Sequence, residues 1–196
     1  MKILREVGIT VLIAVAVFAL LRLTVQSYTV QYTCMLPNIE EGDWVMVNKA
    51  SYFSSDPQRG DVIVFNPPPP NEESPYPFIK RVIGLPGETV EIKDGKVFIN
   101  GIPLEEDEYI KERPNYTTPA TEVPENEYFV LGDNRNIAND SRNGWTVPRD
   151  NVIGKAWFIY WPPSKLGIVK HYRYPELNEA GEQGMMVSQS VGVQLE

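Results

Sequence analysis

The chain has 196 residues, 42% of them hydrophobic and 22% charged, a composition typical of a globular protein with one domain. Its formal net charge is −8, from 26 acidic and 18 basic residues without a basic stripe, which argues against nucleic-acid binding. One cysteine and one histidine, Cys34 and His171, are too few for a structural zinc site. The polar surroundings of His171 predict a solvated surface residue rather than a catalytic partner of Cys34.

The first predicted element is a transmembrane helix at residues 7–25, which read VGITVLIAVAVFALLRLTV. About 19 helical residues span roughly 28 Å, close to the thickness of the hydrocarbon core of a bilayer. The stretch is longer than the apolar part of a usual secretion signal and no small-residue cleavage site follows it, so we predict an uncleaved anchor. Lys2 and Arg5 before it predict a cytoplasmic N-terminus at residues 1–6 and an extracytoplasmic location for the remainder.

Short apolar runs separated by turns predict a mostly β domain at residues 28–174, and the 17 prolines favour strands and turns over a helical bundle. Three segments are predicted without regular structure: a proline-rich surface loop at 67–77, a polar loop at 104–126 and a poorly ordered tail at 175–196. The predicted strands are 43–48, 60–65, 78–84, 88–92, 97–100, 127–131 and 154–161, with a hairpin turn at Asp94-Gly95.

Cys34 cannot form an intramolecular disulfide, so it is an ordinary buried side chain, an accident or a reagent. If it is a nucleophile, the candidate base is Lys80, which lies in the apolar strand 78–84. Burial disfavours a charged ammonium group, so a desolvated lysine can be neutral and accept a proton near neutral pH. Adjacent strand residues point to opposite faces, so Lys80 or Arg81 should face inward; alternatively, both belong to an ordinary alternating strand.

Four ordered stretches carry a resemblance to a known family. They are Cys-Met-Leu-Pro at 34–37 with Gly-Asp at 42–43 and Val-Asn-Lys at 47–49; Gly-Asp-Val-Ile-Val-Phe at 60–65; Lys-Arg-Val-Ile-Gly-Leu-Pro-Gly-Glu at 80–88; and Gly-Asp-Asn-Arg at 132–135 with Asp-Ser-Arg at 140–142, Val-Pro at 147–148 and Gly-Lys-Ala at 154–156. In order and spacing they resemble the motifs of type I signal peptidases, the membrane-anchored Ser-Lys proteases that remove signal peptides from exported proteins. The likeness covers residues 5–162.

The resemblance implies a mostly β catalytic domain with coiled antiparallel sheets behind one N-terminal transmembrane helix. It also implies an acyl-enzyme intermediate that water hydrolyses, without a metal or an organic cofactor. The implied partners are the signal peptides of exported preproteins and a lipid bilayer, with no nucleic acid. The implied location is a plasma or thylakoid membrane, with the catalytic domain on the extracytoplasmic side.

Residue by residue, Lys80 matches the general base of the family, and Cys34 stands where the family has its nucleophilic serine. Met35 and Pro37 match residues that fix the nucleophile turn. The last motif shapes the surroundings of the base and the substrate groove in the family, although four of its charged residues could equally form an ion-paired loop. Its matching residues are Gly132, Asp133, Asn134, Arg135, Asp140 and Arg142.

Two further positions depart from the family pattern. Tyr32 replaces a serine that helps to hold the oxyanion, and Ala138 replaces a serine that hydrogen-bonds the lysine. One interpretation is thiol chemistry, in which the Cys34 backbone N–H and the Tyr32 phenol hold the oxyanion. A second is a catalytically impaired relative that binds preproteins without cutting them, and a weaker third is a thiol-sensing membrane protein.

Overall fold

The computed structural model describes residues 2–177, so the predicted tail lies, from residue 178 onward, outside the described residues. A helix, α1, runs from Lys2 to Thr24 and is followed by twelve described strands. The strands are β1 Val25–Thr29, β2 Trp44–Asn48, β3 Val62–Phe65, β4 Phe78–Gly84, β5 Thr89–Lys93, β6 Lys96–Ile99, β7 Ile102–Pro103, β8 Thr118–Glu122, β9 Glu127–Leu131, β10 Val147–Pro148, β11 Val152–Trp161 and β12 Gly167–Ile168.

Helix α1 is long and apolar enough to cross a membrane. Its apolar part, Arg5–Thr24, has 20 residues, none of them buried against the rest of the protein. At 1.5 Å per residue this part is about 30 Å long, the thickness of a hydrocarbon core. A helix with exposed apolar side chains all around it needs an apolar environment, which fits a membrane-associated protein.

The strands form two antiparallel sheets. The larger has eight strands in the order β1-β2-β11-β3-β4-β9-β10, with β12 paired to β11. The smaller has the order β7-β6-β5-β8. Strand β3 is buried along its whole length, as expected for a central strand with a continuous apolar run. The predicted mostly β fold with one N-terminal apolar helix is confirmed.

Most predicted strands are present within one or two residues of their predicted ends, but β8 lies inside the predicted loop 104–126. Its sequence, Thr-Pro-Ala-Thr-Glu, lacks apolar alternation because β8 is an exposed edge strand whose one partner within residues 2–177 is β5. Strand β1 also begins directly after α1, where the sequence predicted the end of the anchor at residue 25.

The prediction of a solvated His171 is wrong. Residues 169–172 run beside β11 and the beginning of β3: the Val169 N–H donates to the Trp157 carbonyl and the Tyr172 N–H donates to the Gly60 carbonyl. A Cβ atom at Gly60 would lie 1.8 Å from the Tyr172 carbonyl oxygen, so this close approach requires glycine. The His171 side chain is 22% exposed, and its Nδ1 accepts a hydrogen bond of 3.1 Å from the Val62 N–H.

The surroundings of His171 disfavour its charged form. The pKa of His171 is lowered to about 4, and burial is the largest cause. The cations Lys155 and Arg81 also lower this pKa, while Asp61 raises it. Because the unfolded pKa is about 6.5, the unfolded chain binds a proton at a higher pH than the folded chain does.

We therefore expect His171 to make the free energy of unfolding fall as the pH falls from about 6.5 to about 4. In His171→Asn, whose amide oxygen can still accept from the Val62 N–H, this contribution should vanish and the pH dependence over that window should be weaker. Urea unfolding of both proteins in detergent, measured at a series of pH values, gives the comparison. Identical pH profiles would contradict the prediction.

Candidate active site

A cavity of about 540 Å³ opens between β1 and the beginning of β4. Residues 27–34 form one wall, and residues 76–80 form another. Val45 and Val64 from the adjacent strands add apolar lining. The cavity therefore offers an apolar surface beside the outer edge of β1, which has no partner strand in the described part of the chain.

Cys34 and Lys80 meet at this cavity. The Lys80 Nζ donates a hydrogen bond of 3.1 Å to the Cys34 Sγ and another of 3.0 Å to the Ile79 carbonyl oxygen. The Cys34 Sγ–H in turn faces the same carbonyl at 3.6 Å. Lys80 is 3% exposed and Cys34 is 8% exposed. The structure thus brings the predicted nucleophile and the predicted base into direct contact in a site that largely excludes water.

Strand pairing positions Lys80. In β4 it pairs with Ile63 of β3, so its backbone lies inside the larger sheet rather than at an edge. The Lys80 Nζ also lies 5.2 Å from the centre of the Phe78 ring. Within residues 2–177 Lys80 forms no ion pair with a carboxylate, and its hydrogen-bond partners are neutral acceptor groups.

Cys34 lies in a tight turn that the neighbouring residues hold. The Leu36 N–H donates to the Thr33 carbonyl at 3.3 Å, and the Asn38 N–H donates to the Met35 carbonyl at 3.0 Å. Met35 is fully buried, and the Leu36–Pro37 peptide bond is cis. Met35 and Pro37 therefore belong to the turn and are absent from the lining of the cavity among the described residues.

The loop that begins at Gly132 packs directly against this turn. The Asn134 N–H donates to the Cys34 carbonyl oxygen at 3.0 Å, and the Asn134 Nδ2 donates to the Thr33 carbonyl at 3.1 Å. A Cβ atom at Gly132 would lie 2.5 Å from the Cys34 carbonyl oxygen and 2.5 Å from the Ala138 Cβ. Glycine is needed at position 132 because the two backbones are too close for a side chain.

A buried ion pair holds the next residue of that loop. Arg81 donates two hydrogen bonds to Asp133, of 2.8 and 2.7 Å, and both side chains are almost completely buried. Burial alone would lower the pKa of Arg81, but Asp133 raises it, so the guanidinium group stays charged. The Asn38 Nδ2 donates to Asp133 at 2.9 Å, which ties the nucleophile turn to the same carboxylate.

Two more ion pairs hold the rest of the loop. Arg135 pairs with Glu106, and both side chains are buried. Arg142 makes hydrogen bonds of 2.6 and 2.7 Å to Asp140, whose Oδ2 accepts from the Gly132 N–H at 3.0 Å. None of these charged groups belongs to the described cavity lining, so they support the turn and do not face the groove.

The two positions that depart from the family pattern, Tyr32 and Ala138, lie in different environments. Tyr32 is 60% exposed and lines the cavity, whereas Ala138 is 8% exposed and packs in the same apolar cluster as Cys34. Glu106 and Asn38 also support the site, and sequence reasoning missed both. Glu106 lies in a polar segment that resembles any solvated loop, and its partner Arg135 is 29 residues away in the chain.

Comparison with known proteins adds independent information. The family model described as "Signal peptidase, peptidase S26" matches residues 4–161. A probable signal peptidase I-1 of Synechocystis is 49% identical over 68% of this chain and 69% of its own length. A signal peptidase I of Leptolyngbya laminosa is 41% identical over 84% of this chain and 81% of its own length. A chloroplastic thylakoidal processing peptidase 1 of Arabidopsis thaliana is 42% identical over 68% of this chain and 41% of its own length.

We predict that Asp133→Asn lowers the free energy of unfolding by about 3 kcal/mol or more, because it leaves the Arg81 charge buried without a counter-ion. The matched control is Asp107→Asn, which removes an exposed ion pair with Arg113 and should leave stability unchanged. Urea unfolding in detergent measures both variants. Equal losses for the two would show that the buried pair does not support the loop.

Proposed function

The chain belongs to the signal peptidase family, peptidase S26, and we propose that Cys34 is the nucleophile and Lys80 the general base of its reaction. As a member of this family it is a peptidase whose substrates are preproteins that carry signal peptides. The observation that supports the proposed pair is the distance of 3.1 Å between the Lys80 Nζ and the Cys34 Sγ. That distance allows a direct proton transfer.

In the proposed reaction, neutral Lys80 takes the proton of the Cys34 thiol as the sulfur attacks the carbonyl carbon of the scissile bond. The tetrahedral intermediate collapses when the bond to nitrogen breaks, and the Lys80 ammonium group gives its proton to the departing amine. The signal peptide is then held on Cys34 as a thioester. Lys80 next takes a proton from water as that water attacks the thioester. The bond to sulfur then breaks, and Lys80 returns this proton to the Cys34 sulfur, while the released carboxylic acid of the signal peptide loses its own proton to solvent.

The surroundings of Lys80 favour this role because its amine is buried and has no carboxylate partner among residues 2–177. A thiol also demands less of its base than a hydroxyl does, because a free thiol is already partly ionised near neutral pH. A cysteine in place of the serine is thus compatible with Ala138, which offers Lys80 no hydroxyl group to bind.

The proposed oxyanion donors are the Cys34 backbone N–H and the Tyr32 phenol. The Cys34 N–H makes no backbone hydrogen bond within the described residues, so it is available to a ligand. Tyr32 lines the cavity two residues earlier, and its side chain is exposed enough to turn towards a bound peptide. The loss of a single oxyanion donor lowers the rate by about 10²–10³-fold. The turnover rate therefore depends on how well the Cys34 N–H and the Tyr32 hydroxyl are placed against the oxyanion.

The remaining site residues are proposed to hold the nucleophile turn in place. Asn134 contacts the backbone around Cys34 directly, whereas Asp133 pairs with Arg81 and Asn38, and Arg135 pairs with Glu106. A loop held by buried ion pairs is rigid, and rigidity preserves the distance between sulfur and amine. These residues are Met35, Pro37, Gly132, Asp133, Asn134, Arg135, Asp140 and Arg142.

The protein is membrane-associated, and we propose that it spans a plasma or thylakoid membrane once. The proposed anchor is 7–25, with residues 1–6 cytoplasmic and the catalytic domain at 28–174 extracytoplasmic. The length and apolar surface of α1 support the anchor, and the basic residues before it support the orientation. Similarity to cyanobacterial signal peptidases and a thylakoidal processing peptidase supports these two locations.

Cys34→Ala and Lys80→Met should each lower kcat for a preprotein by about 10³-fold or more, because each removes one half of a pair that acts as a unit. Lys93→Met, which removes an exposed lysine, is the matched control and should leave kcat unchanged. The measurement is cleavage of a preprotein by the purified chain in detergent under reducing conditions. A thiol-alkylating reagent should also inactivate the wild-type protein.

Cleavage that survives Cys34→Ala or Lys80→Met would overturn the proposed pair. If the folded wild-type chain binds preproteins but does not cut them, the alternative of a catalytically impaired preprotein-binding relative replaces it.

A second prediction concerns Ala138. We expect Cys34→Ser to cleave more slowly than the wild-type protein, because a hydroxyl needs a better-oriented base than a thiol does. Adding Ala138→Ser to Cys34→Ser should recover part of that loss, whereas Ala138→Ser alone should change kcat much less. Single-turnover kinetics of the four proteins measures this coupling. Equal effects of Ala138→Ser in the two backgrounds would show that a hydroxyl at position 138 has no specific role with a serine nucleophile.

A further inference from the structure

Cys34 is a thiol that a small oxidant can reach. The residue is 8% exposed, and it lines the open cavity of about 540 Å³ in which a peptide is proposed to bind. Hydrogen peroxide is far smaller than a peptide, so the same opening admits it. On the proposed extracytoplasmic side no glutathione pool keeps thiols reduced. A cysteine nucleophile is therefore exposed to oxidation there, whereas a serine nucleophile would not react.

The chain offers Cys34 no second thiol as a partner. Cys34 is the only cysteine among the 196 residues, so its oxidised form cannot be resolved as a disulfide within one chain. Peroxide converts a cysteine to a sulfenic acid, which either condenses with a nearby nucleophile or is oxidised further to a sulfinic acid. Thiols reduce the condensed product but not the sulfinic acid. A neighbouring nucleophile therefore decides whether the oxidation of Cys34 is reversible.

The nucleophile beside the sulfur is the Lys80 amine. Two polar atoms make hydrogen-bond contacts with the Cys34 Sγ in the described chain, the Lys80 Nζ at 3.1 Å and the Ile79 carbonyl oxygen at 3.6 Å. A carbonyl oxygen forms no stable bond with an oxidised sulfur, whereas an amine does. Lys80 is 3% exposed and forms no ion pair with a carboxylate within residues 2–177, so its nitrogen faces the sulfur rather than a counter-ion.

The surroundings favour a bond between these two atoms over competing reactions. Ala138 packs in the same apolar cluster as Cys34 and has no hydroxyl group that could draw the amine away. A primary amine is a stronger nucleophile than the backbone amide nitrogens, whose lone pairs are delocalised into their carbonyl groups. The amine also ends a flexible four-carbon stem, so a rotation of this stem brings nitrogen onto sulfur while β4 stays in place.

We propose that Cys34 and Lys80 are an oxidative modification site, at which hydrogen peroxide joins the sulfur and the amine in a reversible sulfenamide cross-link. Regulation of cleavage by this cross-link rests on the proposed function, because it blocks the proposed nucleophile and the proposed base together. Formation of the cross-link depends only on the contact between the two atoms. The lysine that serves the reaction thus also protects its thiol from irreversible oxidation.

Two steps form the cross-link. In the first, the Cys34 sulfur attacks one oxygen of the peroxide, the O–O bond breaks, and the other oxygen takes the thiol proton and leaves as water, which gives the sulfenic acid. In the second, the neutral Lys80 amine attacks the sulfur, the S–O bond breaks, and the departing hydroxide takes a proton from the nitrogen and leaves as a second water. The sulfur loses two electrons to the peroxide, and the product lacks two hydrogen atoms.

A dithiol reverses the reaction. One thiol of dithiothreitol attacks the Cys34 sulfur and releases the Lys80 amine, and the other thiol then displaces Cys34 from the mixed disulfide. Dithiothreitol is oxidised to its cyclic disulfide, and both side chains return to their reduced forms.

The test treats the full chain in detergent with hydrogen peroxide and maps it by mass spectrometry after digestion. The wild-type protein should give a peptide with Cys34 joined to a peptide with Lys80, lighter than their sum by two hydrogen atoms, and dithiothreitol should separate the two. Cleavage of a preprotein should fall as the cross-link accumulates and return with dithiothreitol. Cys34→Ser, which has no thiol, should form no cross-link.

Lys80→Met tests whether the amine is the group that protects the thiol. Without it, Cys34 should be labelled by dimedone as a sulfenic acid and then reach the sulfinic acid, so dithiothreitol should restore about fivefold less thiol than in the wild-type protein. Lys93→Met, which removes an exposed lysine, is the matched control and should cross-link and recover as the wild-type protein does. This measurement counts thiols and needs no catalytic activity.

The possible results distinguish this inference from the proposed function. A wild-type protein in which Cys34 is oxidised only to sulfenic or sulfinic acid, with no peptide joined to Lys80, would overturn the cross-link and leave the proposed function standing. Cleavage that continues in fully cross-linked protein would overturn both. If the reduced wild-type protein does not cut preproteins, the proposed function fails, and the peptide map still decides whether the cross-link forms. The same map decides if Lys80→Met does not fold.

Discussion

The contact between a buried lysine amine and a buried thiol is the constraint on which the rest of this structure depends. Lys80 has neutral hydrogen-bond partners in the described chain, the Cys34 sulfur and the Ile79 carbonyl oxygen. The larger sheet provides the burial, because β4 lies between β3 and β9 and carries Lys80 in its interior. The fold thus holds the Lys80 amine against the Cys34 thiol inside the sheet.

The charged residues of the last motif act at a distance from the cavity. Asp133, Arg135 and Asp140 are each completely or almost completely buried and paired, and their partners come from β4, from the segment around Glu106 and from the loop itself. Such pairs contribute uncertain net stability, but the loss of one partner leaves a charge without compensation. Here the ion pairs position the loop, because this loop carries the Asn134 N–H that donates to the Cys34 carbonyl oxygen.

Sequence reasoning predicted the parts of the site that depend on local pattern. Lys80 stands out as a charge in an apolar strand, and the central strands follow from their apolar runs. The features that sequence reasoning missed depend on contacts between residues far apart in the chain. The partly buried His171 accepts a hydrogen bond from Val62, 109 residues away, and a short polar segment gives no sign of such a partner. Glu106 is likewise recognisable only through Arg135, and β8 only through its pairing with β5.

The central claim is that Cys34 forms a covalent bond with the substrate, and mass spectrometry tests it most directly. The wild-type protein is mixed in excess with a preprotein, quenched in acid within milliseconds to seconds, digested and mapped. The account predicts a signal peptide attached to Cys34 as a thioester that neutral hydroxylamine removes, and no such adduct in a Lys80→Met protein over the same interval. Cleavage of the preprotein with no adduct at Cys34 at any time point, or an adduct on another residue, would contradict it.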